Sequence, residues 1–300
     1  MENNRFIEIH EIGPRDGFQS VPDYIPMETK LSVIEKIIAS GVKSIQITSF
    51  VSPKAIPQMK DAKALATVCL EKYPQGDFSA LVPNLFGAKL AQETGLKKIS
   101  YVVSLSESHN RANIRRSHEE SFEELQKIMD ELPEMEISLD LATAFGCPFE
   151  GKKMPEEGAA FLGPYVDLGI KNVNLCDTIG VANPAQVRET IAEIQQTFPN
   201  LTLEIHIHDT RNMGMVNTLA AIESGIKIAQ TTLGGLGGCP FAPGASGNLA
   251  TEDLVHMLTE MGYQTGIDEL KLIEAAKFES QHIDGIYSGH LYKIENAIIH

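Results

Sequence analysis

Eight short runs of apolar and β-branched residues alternate with longer stretches of helical period along the whole chain, and few folds accept that pattern. The strand-like runs lie near Phe6–Ile12, Ser44–Thr48, Phe78–Val82, Ile99–Val103, Glu136–Leu141, Asn172–Leu175, Leu203–His208 and Ile228–Thr232. Between them fall helical patterns such as Met27–Ala39, Gln58–Lys72, His118–Glu131, Pro184–Thr197 and Gly214–Ser224. Gly41, Gly95, Gly169 and Gly225 each close a helical stretch just before a strand, where a helix most easily ends on a left-handed residue. Eight strand–helix units predict an α/β protein, a (β/α)8 TIM barrel, rather than an open doubly wound sheet. The 300 residues suit one such domain. We place the barrel at about residues 5–262 and a short C-terminal helical extension at about 263–300, with helical period over Ile267–Gln281. The extension is expected to cap the barrel or make a subunit contact.

Composition removes several classes of partner. With 43% hydrophobic and 22% charged residues, the chain can bury a large core. A net charge of −15 argues against bulk binding of nucleic acid or anionic membrane. No run approaches the roughly 18 apolar residues of a membrane span, and MENNRFIEIH lacks a secretory layout, so a cytoplasmic protein is expected. The densest basic stretch, RANIRRS at 111–117, reads either as a pocket for a small anion or as a solvated loop. Four widely spaced cysteines suggest reduced thiols. Cys147 and Cys239, each between Gly and Pro, are expected to be exposed at turns, whereas Cys69 sits in a helical pattern and should be core.

Chemistry in such a barrel gathers at the C-terminal ends of the strands, so the polar residues there are the ones to collect. In LEIHIHDT, residues 203–210, an extended backbone puts His206 and His208 on one face and Ile205 and Ile207 on the other. Such a pair can grip one divalent ion, or it can be two buried histidines satisfied by hydrogen bonds. The first strand ends in GPRDGFQ with Arg15 and Asp16, the second in IQITSF with Gln46, Thr48 and Ser49, and the sixth in CDTIG with Asp177. The eighth runs into GGLGGCPFAPGASGN, a long glycine-rich loop ending at Asn248. Asp16, His206, His208 and Asn248 form an oxygen and nitrogen ligand set suited to Mg²⁺ or Mn²⁺, with Zn²⁺ or Co²⁺ as alternatives. Each has a plainer reading: Arg15–Asp16 as an ion pair, Asn248 as a helix N-cap. The loop reads as a lid bringing Cys239 to the site, in preference to a phosphate cradle or an ordinary connection.

These motifs, together with ITSFVSPKAIPQM, FGCPFEG, DTIGVANP, HIHDT and GGLGGCPFAPGASGNLATEDLV, resemble the 3-hydroxy-3-methylglutaryl-CoA lyases, metal-dependent barrel lyases related to Claisen-type synthases. The resemblance runs from about Ile9 to about Gly262. It implies Asp16, His206, His208 and Asn248 as metal ligands and Arg15 as a catalytic arginine. It implies Cys239 as the loop cysteine of proton transfer, and Glu252 as the helix carboxylate assisting it. The implied reaction cleaves an acyl-CoA thioester to acetyl-CoA and acetoacetate, with His206 or Asp16 as candidate base, Arg15, Gln46 and Ser49 lining the substrate, and a homodimer as the assembly.

Two departures stand out. Where the family carries a glutamate on the second strand this chain has Gln46, which keeps the shape and loses the charge. Cys176 stands where glycine is usual. These changes keep open a citramalyl-CoA-like or other 3-hydroxyacyl-CoA substrate, and Gln46 alone a catalytically impaired metal-binding relative. A Claisen-type synthase ranks below the lyase readings, because the loop lacks a Glu-Arg pair before Asn248 and the tail is short. The terminal ENAIIH carries no peroxisomal signal.

Overall fold

A computed structural model of the chain describes residues 5–238 and 247–295. Eight strands alternate with helices. They are β1 (Glu8–Glu11), β2 (Ser44–Ser49), β3 (Asp77–Val82), β4 (Lys98–Ser104), β5 (Glu136–Ala142), β6 (Asn172–Asp177), β7 (Thr202–Ile207) and β8 (Ile228–Thr231). All pair in parallel, and β1 closes on β8 with Ile9 opposite Ala229, so the sheet is a closed barrel in the order β1-β8-β7-β6-β5-β4-β3-β2. The principal helices are α1 (Met27–Ala39), α2 (Ala62–Lys72), α3 (Leu85–Glu93), α4 (Glu107–Ile114), α5 (His118–Glu131), α6 (Pro155–Leu168), α7 (Pro184–Thr197), α8 (Gly214–Glu223), α9 (Thr251–Glu260) and α10 (Glu269–His282). This is the (β/α)8 barrel that the strand–helix alternation predicts.

The apolar core is the layer between strands and helices. Ile205 and Ile207 face it, as do Ile45, Ile47, Leu139, Leu141, Val173 and Leu175, all almost wholly buried. Burying one such side chain is worth about 1.5–3 kcal/mol. The inside of the barrel is different. Ser44, Gln46, Ser79, Ser100, Glu204 and Gln230 project to the axis, where branched apolar side chains usually stack, and line a cavity of about 190 Å³ toward the N-terminal mouth.

Local signals explain most element ends. Gly41, Gly95, Gly169 and Gly225 all have φ near +100° and follow a helix, as expected. At α5, Ser117 and Glu120 form a reciprocal capping box. Other expectations need correction. The Gln58–Lys72 pattern divides into a 3-10 turn at Pro57–Met59 and α2. Residues 111–114 of the basic stretch are helical, and Arg115, at φ 59°, ends α4. Arg111 pairs with Glu107, and Arg116 donates to Pro83 O at 2.5 Å, so these arginines serve the local fold.

Cys147 is buried (4%), contrary to the exposed thiol expected at its turn. A small hairpin pairs Gly146–Cys147 with Gly151–Lys152 and turns the sulfur inward, where Sγ donates to Ser106 Oγ at 2.9 Å. Cys69 is core, and Cys69, Cys147 and Cys176 are free thiols. Cys239 lies outside the described residues. Among the described residues, no helix is long and apolar enough to cross a membrane.

Candidate active site

The chain leaves β1 through a single π-turn, Gly13–Gly17, that carries Arg15 and Asp16 onto the barrel mouth. Glycine is needed at its start, because a Cβ on Gly13 would lie 2.6 Å from Glu11 Oε1. That oxygen accepts from Gly13 N at 2.7 Å and Leu233 N at 2.9 Å, tying the ends of β1 and β8 together.

On β7, alternation turns Glu204 and His206 to the axis, and His208 continues the row just past the strand end. His208 forms an isolated antiparallel bridge with Asn248, so residues forty apart meet through backbone pairing. Asn248 is therefore no helix N-cap: α9 starts at Thr251 with Ala250 before it.

Ligating atoms of Asp16, His206 and His208 all lie within 4.8 Å of one another. The two imidazole centroids are 5.0 Å apart with planes at 89°. Asn248 Nδ2 donates to Asp16 Oδ2 at 2.7 Å, placing the fourth expected residue against the same carboxylate. Arg15 donates through Nη1 to Asp16 Oδ1 and through Nε to Gln46 Oε1. Of the expected site residues, the structure thus brings Arg15, Asp16, Gln46, His206, His208 and Asn248 together.

The protonation states suit a cation. Burial pushes Asp16 up, but the Arg15 guanidinium and the two imidazoles outweigh it and hold the carboxyl at about 2. Burial, reinforced by His208, drives His206 down to about 3, and burial also lowers His208. An ionised carboxylate beside neutral imidazoles is the form in which these groups ligate metals. His206 Nδ1 lies 3.3 Å from Gln230 O, which favours a proton there and leaves Nε2 as a lone pair. His208 Nδ1 and Asn248 Oδ1 are buried without a hydrogen-bond partner among the described residues. Two buried acceptors without partners beside a carboxylate offer lone pairs to a cation, so the donor set fits a divalent ion.

The other expected residues are placed differently. Ser49 is wholly buried, and its hydroxyl has no partner among the described residues, so no hydrogen bond joins it to Arg15 or Asp16. Asp177 folds its own loop, accepting from Val181 N and Ala182 N at 2.9 Å each. Glu252 Oε2 accepts from Gly234 N at 2.9 Å, under the point where the glycine-rich loop leaves β8. Burial, helped by Asp253, pushes its carboxyl up to about 8.

The C-terminal extension clasps both feet of that loop. Gly289 N donates to Gly234 O at 2.9 Å, Gly237 N to Ile286 O at 3.2 Å, and Ser288 Oγ to Asn248 O at 2.6 Å. An extension expected to cap the barrel or make a subunit contact thus grips this loop, a detail with no local sequence signal; Gln19, whose Nε2 donates to Asp16 Oδ1 at 2.9 Å, is a residue that sequence reasoning missed. Gln19 was within reach, since it lies three residues after Asp16, one turn of helix further on. Ser100 on β4, Asp140 on β5 and Asn174 on β6 carried no local signal.

The chain is similar to known proteins over most of its length. Residues 6–278 match the model of the HMGL-like family. The chain is 38% identical to mitochondrial hydroxymethylglutaryl-CoA lyase of Rattus norvegicus, over 93% of this chain and 86% of that protein. It is 39% identical to (R)-citramalyl-CoA lyase of Chloroflexus aurantiacus, over 91% of this chain and 90% of the relative. An HMG-CoA lyase from Acinetobacter baumannii, solved with coenzyme A and 3-methylmalate, superposes with a TM-score of 0.93 at 37% identity, covering 100% of this chain and 99% of that one.

Proposed function

Because the chain belongs to the HMGL-like family and is an enzyme of the carbon–carbon lyase kind, we propose that it cleaves 3-hydroxy-3-methylglutaryl-CoA to acetyl-CoA and acetoacetate with a divalent ion, Mg²⁺ or Mn²⁺. The observation that carries this reading is the Arg15 guanidinium lying against the Asp16–His206–His208 cluster at the strand ends.

Asp16, His206, His208 and Asn248 would hold the ion. Once bound, it would act as a Lewis acid toward a hydroxyl and a carboxylate oxygen of the substrate. The remaining work belongs to the chain. Transfer of the hydroxyl proton to a base, His206 or Asp16, turns the tertiary alcohol into a ketone as the neighbouring carbon–carbon bond breaks, and the electron pair of that bond passes to the acetyl-CoA enolate. Arg15 has Nε committed to Gln46 and one Nη1 proton to Asp16, which leaves Nη2 donors for the enolate oxygen. Cys239 is proposed to protonate the enolate carbon, and Glu252 to steady the loop that carries it through Gly234 N. Ser49 is proposed to line the acyl pocket. A homodimer is the assembly proposed.

Gln46 supports a second reading, in which the same cleavage acts on a citramalyl-CoA-like thioester. Its amide offers Arg15 a single neutral acceptor where a carboxylate would bring charge. Purified protein with Mg²⁺ or Mn²⁺ and a panel of 3-hydroxyacyl-CoA thioesters decides between them by acetyl-CoA release. We expect release from the methylglutaryl thioester, and preference for the citramalyl thioester would select the second reading. Release from none, with metal bound, would overturn both.

A further inference from the structure

Gln46 is wholly buried and bonded at both ends: Arg15 Nε donates to Oε1, and Nε2 donates to Ser100 Oγ at 2.9 Å. A carboxamide differs from a carboxylate in having a direction. Turned over, it would set two N–H donors against the guanidinium and lose that bond in a buried site, while its oxygen would face a hydroxyl that can donate as well as accept. Something must therefore fix which end faces Arg15.

We infer that Ser100, backed by Asp140, is the positioning residue that orients Gln46 toward Arg15, a role this chain requires because it carries an amide at that position.

The geometry supports a directed chain across four strands. Ser100 on β4 accepts from Gln46 on β2, and Asp140 Oδ2 on β5, buried with no hydrogen-bond partner among the described residues, is an acceptor open to the Ser100 proton. Asp140 is nearly wholly buried, and its Oδ1 accepts from Asn174 Nδ2 on β6 at 3.0 Å, so the carboxylate is itself held. Burial pushes the Asp140 carboxyl up, while the Arg15 charge and the Asn174 and Ser100 side chains oppose it, which ties both ends of the chain electrostatically. Water from the cavity below would not replace this hydroxyl. A water donates as readily as it accepts, whereas a serine whose proton is drawn to Asp140 presents an acceptor to Gln46. A carboxylate at position 46 accepts through either oxygen and needs no such guide. Ser100 should therefore matter beside the native amide and be dispensable once Gln46→Glu has replaced it.

This inference rests on the lyase reading for its kinetic arm, so a second arm avoids turnover. Ser100→Ala is expected to lower kcat about tenfold with KM little changed, and Ser100→Thr to restore it. In the Gln46→Glu background, Ser100→Ala should change kcat by less than about twofold, a non-additivity that a merely structural serine would not show. Selective arginine labelling then reads the Arg15 Nε–H directly, assigned with Arg15→Lys. The proton should be protected from exchange in the wild type, lose protection in Ser100→Ala and in Asp140→Asn, and keep it in Gln46→Glu/Ser100→Ala. Equal kinetic losses in both backgrounds, or an Nε–H unaltered by Ser100→Ala, would overturn the role of Ser100. A wild type inactive on every thioester would overturn the lyase reading, and the exchange arm would still judge Ser100.

Discussion

Gly237→Ala should cripple metal binding while leaving the barrel folded. Gly237 lies on the first foot of the glycine-rich loop, and a Cβ there would stand 2.5 Å from Asn248 Nδ2 and 3.3 Å from its Cγ. Ordinary contact is nearer 3.5–4.0 Å, so the amide must retreat by about 1 Å. It has nowhere to go without breaking bonds, because Nδ2 is held by Asp16 Oδ2 at 2.7 Å and Leu236 O at 3.2 Å. Losing a hydrogen bond to a charged group costs about 1.5–3 kcal/mol, and 1.4 kcal/mol is about a tenfold change in affinity. We expect Mn²⁺ binding about 10- to 100-fold weaker by titration calorimetry, and acetyl-CoA release to fall with it. Gly238→Ala is the control, since its Cβ would meet nothing closer than Ser20 Cβ at 3.8 Å. Wild-type Mn²⁺ affinity in Gly237→Ala, or an equal loss in Gly238→Ala, would refute the placement of Asn248 in the ligand set.

Gln46→Glu should raise turnover of the methylglutaryl thioester by about tenfold, because a charge-assisted bond to Arg15 is roughly twice as strong as a neutral one; an unchanged or lower kcat contradicts this. His208→Ala should abolish measurable Mn²⁺ binding and leave the metal-free melting temperature within a few degrees of the wild type, because the Nδ1 atom it removes has no hydrogen-bond partner among the described residues. A retained Mn²⁺ isotherm would exclude His208 as a ligand. Glu11, Glu252 and Glu279 are buried carboxyls, raised to about 7, to about 8 and well above the ordinary value respectively, in each case first by burial. Folded protein therefore keeps protons that unfolded chain has lost. The stability they contribute is full below about pH 4.5 and declines as pH rises, through about 7–8 for Glu11 and Glu252, by about 1.4 kcal/mol per pH unit per proton. Glu279→Gln should shrink the fall in melting temperature between pH 5 and pH 8; the same fall in both proteins would show that Glu279 does not take part.

Local periodicity was enough to read the eight strands, most helices and the common face of His206 and His208, because a two-residue or 3.6-residue repeat is written into adjacent positions. The glycines that end helices were legible for the same reason. The motifs also pointed to Asp16 and Asn248, though not to how they meet. That His208 pairs with Asn248, that Asn248 reaches Asp16, and that Gln46 lies between Arg15 and Ser100 depend on strand register and barrel closure, which join residues up to 232 positions apart. Cys147 shows the limit most plainly: its Gly and Pro neighbours predict a turn, but whether the thiol faces water is decided by Ser106, 41 residues away. Short-range sequence thus set which face of each element is polar. Only the closed barrel decided which polar groups share that interior, because a charge or an amide is satisfied by whatever the fold brings opposite it.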